Sequence, residues 1–329
     1  MLLYQFVLPL LSATVLTVTQ YCSGAYAASF TNPLKPSDGS DPFIAYTGGY
    51  YYLTTTTWTD IQITRATTLE GLKTGEVKTV WSDTTASRCC NVWAPEIHYF
   101  DGTWYLYYTA GSNENLDLQR PHVLRGGPTP WDPYTYAGQL SDVWGIDGTV
   151  LRFPERNYFV WSCMTSVGQS LCIAVLDTPT TISGATHTLS EPTEPWEQDG
   201  TPVQEGAAAM YHGGKTYIAF SASYCWTPSY QLGLLTWNGG DPLDRGSWVK
   251  TGPHFSSANG NYGTGHNGFF LSPDESEIWN VYHATANSEG ACDGSRYTMA
   301  QVVNWNADGT PDFGISPPFS TVLEGPSGE

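Results

Sequence analysis

Positive charge is what this sequence has least of: 13 Lys and Arg stand against 31 Asp and Glu in 329 residues, for a net charge of −18. A surface of that sign repels nucleic-acid phosphates and anionic membranes, so neither is expected as a partner. No Asn-x-Ser/Thr sequon occurs, so no N-linked glycan is expected. No stretch carries the apolar period of a long amphipathic helix. Charge of either sign is missing from residues 1–27, which end on Ala25-Tyr26-Ala27, the small-x-small pattern that signal peptidase accepts. Pro9, Thr19, Gln20 and Ser23 interrupt this run before it reaches bilayer-spanning length, and no later segment is apolar enough to span. Residues 1–27 therefore read as a secretory signal peptide, and 28–329 as one extracellular domain.

Cysteine is also sparse. Of seven, Cys22 leaves with the signal, and Cys89, Cys90, Cys163, Cys172, Cys225 and Cys292 remain as an even set in a chain bound for an oxidising compartment. Six cysteines allow fifteen pairings. The short loop between Cys163 and Cys172 favours that bridge; Cys89–Cys90 and Cys225–Cys292 would complete the set, although the sequence does not fix the map.

Aromatic residues, by contrast, make up 14% of the chain, more than the 13% that are charged, a balance that suits a packed, strand-rich protein. One unit recurs five times: DPFIAYTGGYYYLTTTT from Asp41, APEIHYFDGTWYLYYT from Ala94, DGTVLRFPERNYFVWS from Asp147, EGAAAMYHGGKTYIAFS from Glu205 and HNGFFLSPDESEIWNVYHA from His266. Each is a polar anchor, a short apolar strand, a turn and an aromatic strand, the signature of a hairpin. With Asp41, Glu96, Asp147, Glu205 and His266 as anchors, the spacings are 55, 51, 58 and 61 residues. QITRATTLE, HVLRGG, SLCIAVLD, QLGLLTWN and TMAQVVNWN supply further strands. The expected fold is all-β, a five-bladed β-propeller with four antiparallel strands per blade. A two-sheet sandwich would not explain why the anchor recurs at one place in each hairpin.

In a propeller the first strand of each blade lines the central channel, so the anchors converge. Three carboxyls crowded together are costly unless their pKa values are pushed apart for use, as in glycoside hydrolysis, where one carboxylic acid protonates the leaving oxygen and another carboxylate activates water or attacks. Asp41, Asp147 and Glu205 are the candidates. Glu96, behind a rigid Ala-Pro, reads as structural, and Asp38 as turn chemistry.

Taken in order, Asp41-Pro42-Phe43-Ile44, Trp93-Ala94-Pro95-Glu96, Ile146-Asp147-Gly148, Glu205-Gly206 and Gly265-His266-Asn267 resemble glycoside hydrolase family 43 over nearly all of the mature chain. The resemblance implies a catalytic five-bladed propeller that hydrolyses arabinose- or xylose-containing polymers with inversion. It implies Asp41 as general base, Glu205 as general acid and Asp147 as the carboxylate that orients the acid and raises its pKa. Inversion requires base and acid to stand about 6.5–9.5 Å apart, with water between them. His266, among the glycines of YGTGHNGFF, is implied at the channel near a cation such as Ca2+ held through waters, although hard cations prefer oxygen ligands. No obligatory cofactor is expected. Arg296 is implied to point back at Asp41; its alternative is a surface ion pair. Trp93, with Trp58 behind it, is expected to offer a sugar-binding face, and Cys89 and Cys90 to stiffen the loop carrying Trp93. His212, His254 and His283 carry no comparable signal.

Within the family, the motif run is most similar to exo-α-1,5-L-arabinofuranosidases acting on arabinan or arabino-oligosaccharides, with β-xylosidase and endo-arabinanase as alternatives. A monomer is expected, and no appended sugar-binding module after NADGTPDFG. A sugar-binding lectin propeller would repeat near-equivalent sites, whereas these anchors differ from blade to blade. A fructan-hydrolysing propeller would open on Trp-Met-Asn-Asp-Pro, which is missing.

Overall fold

The computed structural model describes residues 28–329; the expected signal peptide and Cys22 lie outside the described residues. Four sheets have four antiparallel strands each. Blade I is built from Phe43–Thr47, Tyr50–Thr54, Ile61–Ala66 and Glu76–Trp81. Blade II follows with Cys90–Phe100, Thr103–Gly111, Arg120–Arg125 and Thr135–Gln139. Blade III takes Ile146–Arg152, Asn157–Met164, Gln169–Thr178 and Thr181–Ser190, and blade IV Gln204–His212, Lys215–Ala222, Gln231–Trp237 and Trp248–Phe255. The five first strands touch in cyclic order and form a ring around a central channel.

Blade V is assembled differently. Its ladder has three strands, Tyr262–Leu271, Ile278–Thr285 and Tyr297–Val302. The outer position is taken by the segment that precedes blade I. Leu34 N donates to Thr298 O (2.8 Å), Thr298 N to Lys35 O (2.9 Å) and Gly39 N to Arg296 O (3.0 Å). The Asn32 amide exchanges two hydrogen bonds with Ala300. The ring is thus closed by the chain's own first described residues, and Ser29–Thr31 pairs with Val322–Glu324 alongside.

The repeats fold as hairpins because their turns supply the backbone the strand twist needs. Gly48-Gly49, Asp101-Gly102 and Gly213-Gly214 all have positive φ between directly paired strands, the two-residue geometry that matches right-handed twist. Each blade then buries its faces against its neighbours. Leu106, Tyr108 and Leu124 of blade II meet Tyr52 and Ile63 of blade I. Tyr107 and Val123 meet Phe159 and Trp161 of blade III, and Val160 and Ile173 meet Phe220 and Leu235 of blade IV. Tyr217 and Leu234 pack on Tyr282 and Met299 of blade V, and Val281 and Trp279 on Ile44 and Leu53 of blade I. Each fully buried aliphatic or aromatic side chain in these seams contributes about 1.5–3 kcal/mol. Among the described residues the disulfides are Cys89–Cys90, Cys163–Cys172 and Cys225–Cys292. Among the described residues no helix is long and apolar enough to cross a membrane.

Candidate active site

One residue where each first strand begins or bulges has left-handed backbone: Asp41 (φ 53°), Ala94 (46°), Asp147 (57°), Gly206 (57°) and His266 (40°). In blades II to V the ladder register slips there, a bulge that turns the strand and re-aims its side chains. Such backbone is strained for any residue with a Cβ and persists only where its surroundings hold it. The second strand of the preceding blade, or in blade I the residues just after it, does the holding. Ala94 N donates to Thr56 Oγ1 (2.8 Å), Asp147 N to Thr109 Oγ1 (3.1 Å), His266 N to Ser221 Oγ (2.6 Å) and Asp41 N to His283 Nδ1 (3.1 Å). Between blades III and IV the direction reverses: Ser162 Oγ donates to Gln204 O (2.8 Å), while Gly206 N donates to Asp147 Oδ2 (3.2 Å). Glycine is required at 206, where a Cβ would stand 2.9 Å from the His266 ring.

The result is a cluster of buried titratable groups. Thr56 Oγ1 donates to Asp41 Oδ2 (2.5 Å), and Asp41 Oδ1 lies 3.2 Å from His266 Nδ1, 3.3 Å from Arg296 Nη1 and 3.4 Å from His283 Nδ1. Burial alone would raise the Asp41 pKa, but Arg296, His266 and His283 outweigh it and hold the carboxyl well below its usual range. Asp147 is treated oppositely. Burial, followed by repulsion from Glu205 and Asp41, pushes it up to about 7 even though His266 stands 3.7 Å away. Glu205 is raised as well, chiefly by burial, against two donors: Tyr230 Oη gives a hydrogen bond to Oε1 (2.8 Å) and Gln169 Nε2 one to Oε2 (2.7 Å). His266 is raised despite burial because Asp41, Asp147 and Glu205 all face it. His283 is lowered to about 3 by burial and Arg296, and its ring stacks on Tyr230 at 5.5 Å with 3° between planes.

These groups open into a cavity of about 510 Å³ lined by Asp41, Asp147, Glu205, Gln169, His266 and Arg296 and walled by Trp58, Trp93, Trp144 and Trp226. Trp58 and Trp93 meet edge to face at 6.1 Å. One cavity thus holds a carboxyl shifted well below its ordinary range, two shifted above it, and flat apolar walls.

Residues 30–311 match the glycosyl hydrolases family 43. The chain belongs to this family. It is 37% identical over 308 residues to an extracellular exo-alpha-(1->5)-L-arabinofuranosidase of Streptomyces avermitilis, covering 88% of this chain and 64% of that protein, so the chain spans somewhat under two thirds of that relative's length. A Streptomyces chartreusis protein of the same description is 31% identical over 278 residues, 80% of this chain and 84% of that one. The crystal structure of an alpha-L-arabinofuranosidase from Lactobacillus brevis superposes with a TM-score of 0.82 at 31% identity, covering 89% of this chain and 98% of that one.

In this family-43 chain the expected site residues Asp41, Asp147, Glu205, His266, Arg296, Trp93 and Trp58 all line one cavity. Arg296 is 4% exposed, so the surface ion-pair alternative is excluded. Glu96 lies off the cavity lining and pairs with His98 at 2.7 Å. It is also not the repeat position of Asp41: the blade II equivalent is Ala94, and in blade IV it is Gly206, with Glu205 one place before. His283 is a correction. It carries no local signal in the sequence, yet its Nδ1 accepts the backbone N–H of Asp41 and lies 3.4 Å from the Asp41 carboxylate. A signal existed, because Thr56, Thr109, Ser162, Ser221 and His283 occupy one column of the repeat. Gln169 and Tyr230 were also missed; each lies in a third strand or its approach, outside the hairpin motif.

The His266 surroundings do not fit a hard cation held by protein ligands. Its Nδ1 faces carboxylates that favour the protonated ring, and among the described residues no group of three or more His, Cys, Asp or Glu is arranged to hold a metal.

Proposed function

We propose that this chain is an inverting exo-α-1,5-L-arabinofuranosidase that releases terminal α-L-arabinofuranosyl residues from α-1,5-arabinan or arabino-oligosaccharides, outside the cell and as a monomer. The observation that carries the reading is the opposite electrostatic treatment of two carboxyls in one cavity. Asp41, held low by Arg296, His266 and His283, is an anion ready to take a proton from water. Glu205, raised by burial, is shifted toward the protonated form that can give a proton. Asp41 deprotonates the water that attacks the anomeric carbon, Glu205 protonates the glycosidic oxygen as its bond to that carbon breaks, and the configuration inverts. Asp147 shares the neighbourhood's excess negative charge with Glu205, so that neither ionises easily beside the other. Arg296 and His266 orient the base and lie within reach of sugar hydroxyls, and Trp93 and Trp58 offer faces to the ring. The three disulfides and the extracellular descriptions of the Streptomyces relatives support action outside the cell.

Two measurements test this. Proton NMR of the first sugar released from a synthetic α-L-arabinofuranoside should show the β anomer; initial α product would remove the water-activating role of Asp41. A screen on linear arabinan, branched arabinan, arabinoxylan and xylan should give arabinose monomer from linear arabinan. Oligomers would point to endo action, and xylose to a xylosidase.

A further inference from the structure

Two loops form the cavity wall on the side of blades IV and V. The first, between the second and third strands of blade IV, carries Tyr224, Cys225 and Trp226; the second, between the second and third strands of blade V, carries Cys292, Asp293 and Arg296. They are joined by the Cys225–Cys292 disulfide, which bridges 67 residues of sequence and itself lines the cavity. At Gly290 the loops are in close contact, since a Cβ there would stand 2.4 Å from the Thr227 carbonyl carbon. Elsewhere the blade V loop bonds within itself and to the segment that precedes blade I, through Asp38 N to Gly294 O (2.8 Å) and Gly39 N to Arg296 O (3.0 Å).

The residue after Cys292 is what fixes the arginine. The Asp293 carbonyl accepts hydrogen bonds from Arg296 Nε (3.2 Å) and Arg296 N (3.3 Å), which aims Nη1 at Asp41 Oδ1, 3.3 Å away. A continuous path therefore runs from Cys225 through the disulfide, the Asp293 carbonyl and the guanidinium to the cavity's ionised carboxylate. By contrast, Cys163–Cys172 bridges paired strands inside blade III and does not line the cavity.

We propose that the Cys225–Cys292 disulfide is a positioning element of the active site, holding Arg296 against Asp41 while it fixes Trp226 in the opposing stretch of wall. The inference rests on the glycosidase reading above. It separates two disulfides by role, Cys163–Cys172 within one hairpin serving stability and Cys225–Cys292 between two blades serving turnover.

The test is a mutant cycle on an arabino-oligosaccharide. Cys225→Ser/Cys292→Ser and Arg296→Met should each lower kcat/KM by about a hundred-fold, since roughly an ångström of misplacement at a catalytic group costs that much. Combined, they should lose no more than either alone, because both break one path. Multiplying losses would overturn the proposal. Cys163→Ser/Cys172→Ser should lower the melting temperature while leaving kcat/KM at the temperature of assay within a few-fold. If the Cys225/Cys292 serine pair does not fold, Gly290→Ala keeps the disulfide, pushes the loops apart and should show the same non-additivity with Arg296→Met. A crystal structure of the serine pair gives a readout independent of turnover: Arg296 Nη1 should leave hydrogen-bonding range of Asp41, and an unchanged contact would overturn the tether. A wild-type protein with no turnover would count against the proposed function, while the structural readout would still judge the tether.

Discussion

The two mouths of the channel are lined by the same five strands and differ in almost everything else. At one, five left-handed residues bring buried acids, histidines and an arginine into a 510 Å³ cavity. Further along the same strands a second cavity of about 300 Å³ is lined by Phe43, Val150, Met210, Phe269 and neighbours, with Arg152 and His98 among its polar side chains. There the strands are regular and alternate as hairpin sequences should. The difference lies in one bulge per blade, which turns a repetitive apolar scaffold into an asymmetric polar site at one end only. The lesson is that chemistry was concentrated where backbone regularity is broken, and the far mouth shows what the scaffold does unbroken.

Each prediction presses on that contrast. The largest effect is expected from comparing two carboxyls on first strands. Glu205→Gln should lower kcat by about 10²–10⁴-fold, whereas Glu96→Gln, outside the cavity and paired with His98, should leave kcat within a few-fold in steady-state assays. Equal losses would erase the distinction. Next, Arg296→Met removes the strongest group holding Asp41 ionised, so the acid limb of the kcat/KM–pH profile should move to higher pH by about 1–2 units.

A stability effect should follow. The folded-state pKa of Asp147 is raised, to about 7, so its protonated form is favoured by folding and this contribution is lost as pH rises through that value. Asp147→Asn, which can still accept from Gly206 N, should therefore stabilise the fold at pH 8 by about 1–3 kcal/mol in denaturant melts, with no gain below the ordinary carboxylate range. Activity should fall in the same variant. The smallest effect belongs to Tyr230→Phe. Its hydroxyl donates to the ionised form of Glu205, so removing it should raise that pKa further and move the alkaline limb to higher pH by about half a unit.

Much of this was legible because repetition is a local property. Each hairpin carries its own strands and turn within about twenty residues, so five blades could be counted from one line of text. The outer strand of blade V could not be read that way: Leu34–Gly39 meets Arg296–Thr298 across the whole chain, and no period announces it. The site divided along the same line. Asp41, Asp147, Glu205 and His266 stand at repeat anchors and were found. His283 stands in a column otherwise filled by Thr and Ser, where it looks like one more strand residue until the bond to Asp41 is seen. Gln169 and Tyr230 act from outside the repeated motif on a carboxyl in a neighbouring strand, a relation only the folded chain displays.

The closure of the ring through residues 32–39 bears on when the molecule becomes competent. Asp41 sits just after that closing segment, and the groups that complete it, the counter-charges His266 and Arg296 and the backbone acceptor His283, are made almost last. During synthesis four blades can stack while the base still lacks its counter-ions and its backbone acceptor. A ribosome-bound chain halted before residue 283 should therefore be largely folded with Asp41 still lacking His283 and Arg296, and the site is complete only when residues 32–39 meet the last blade.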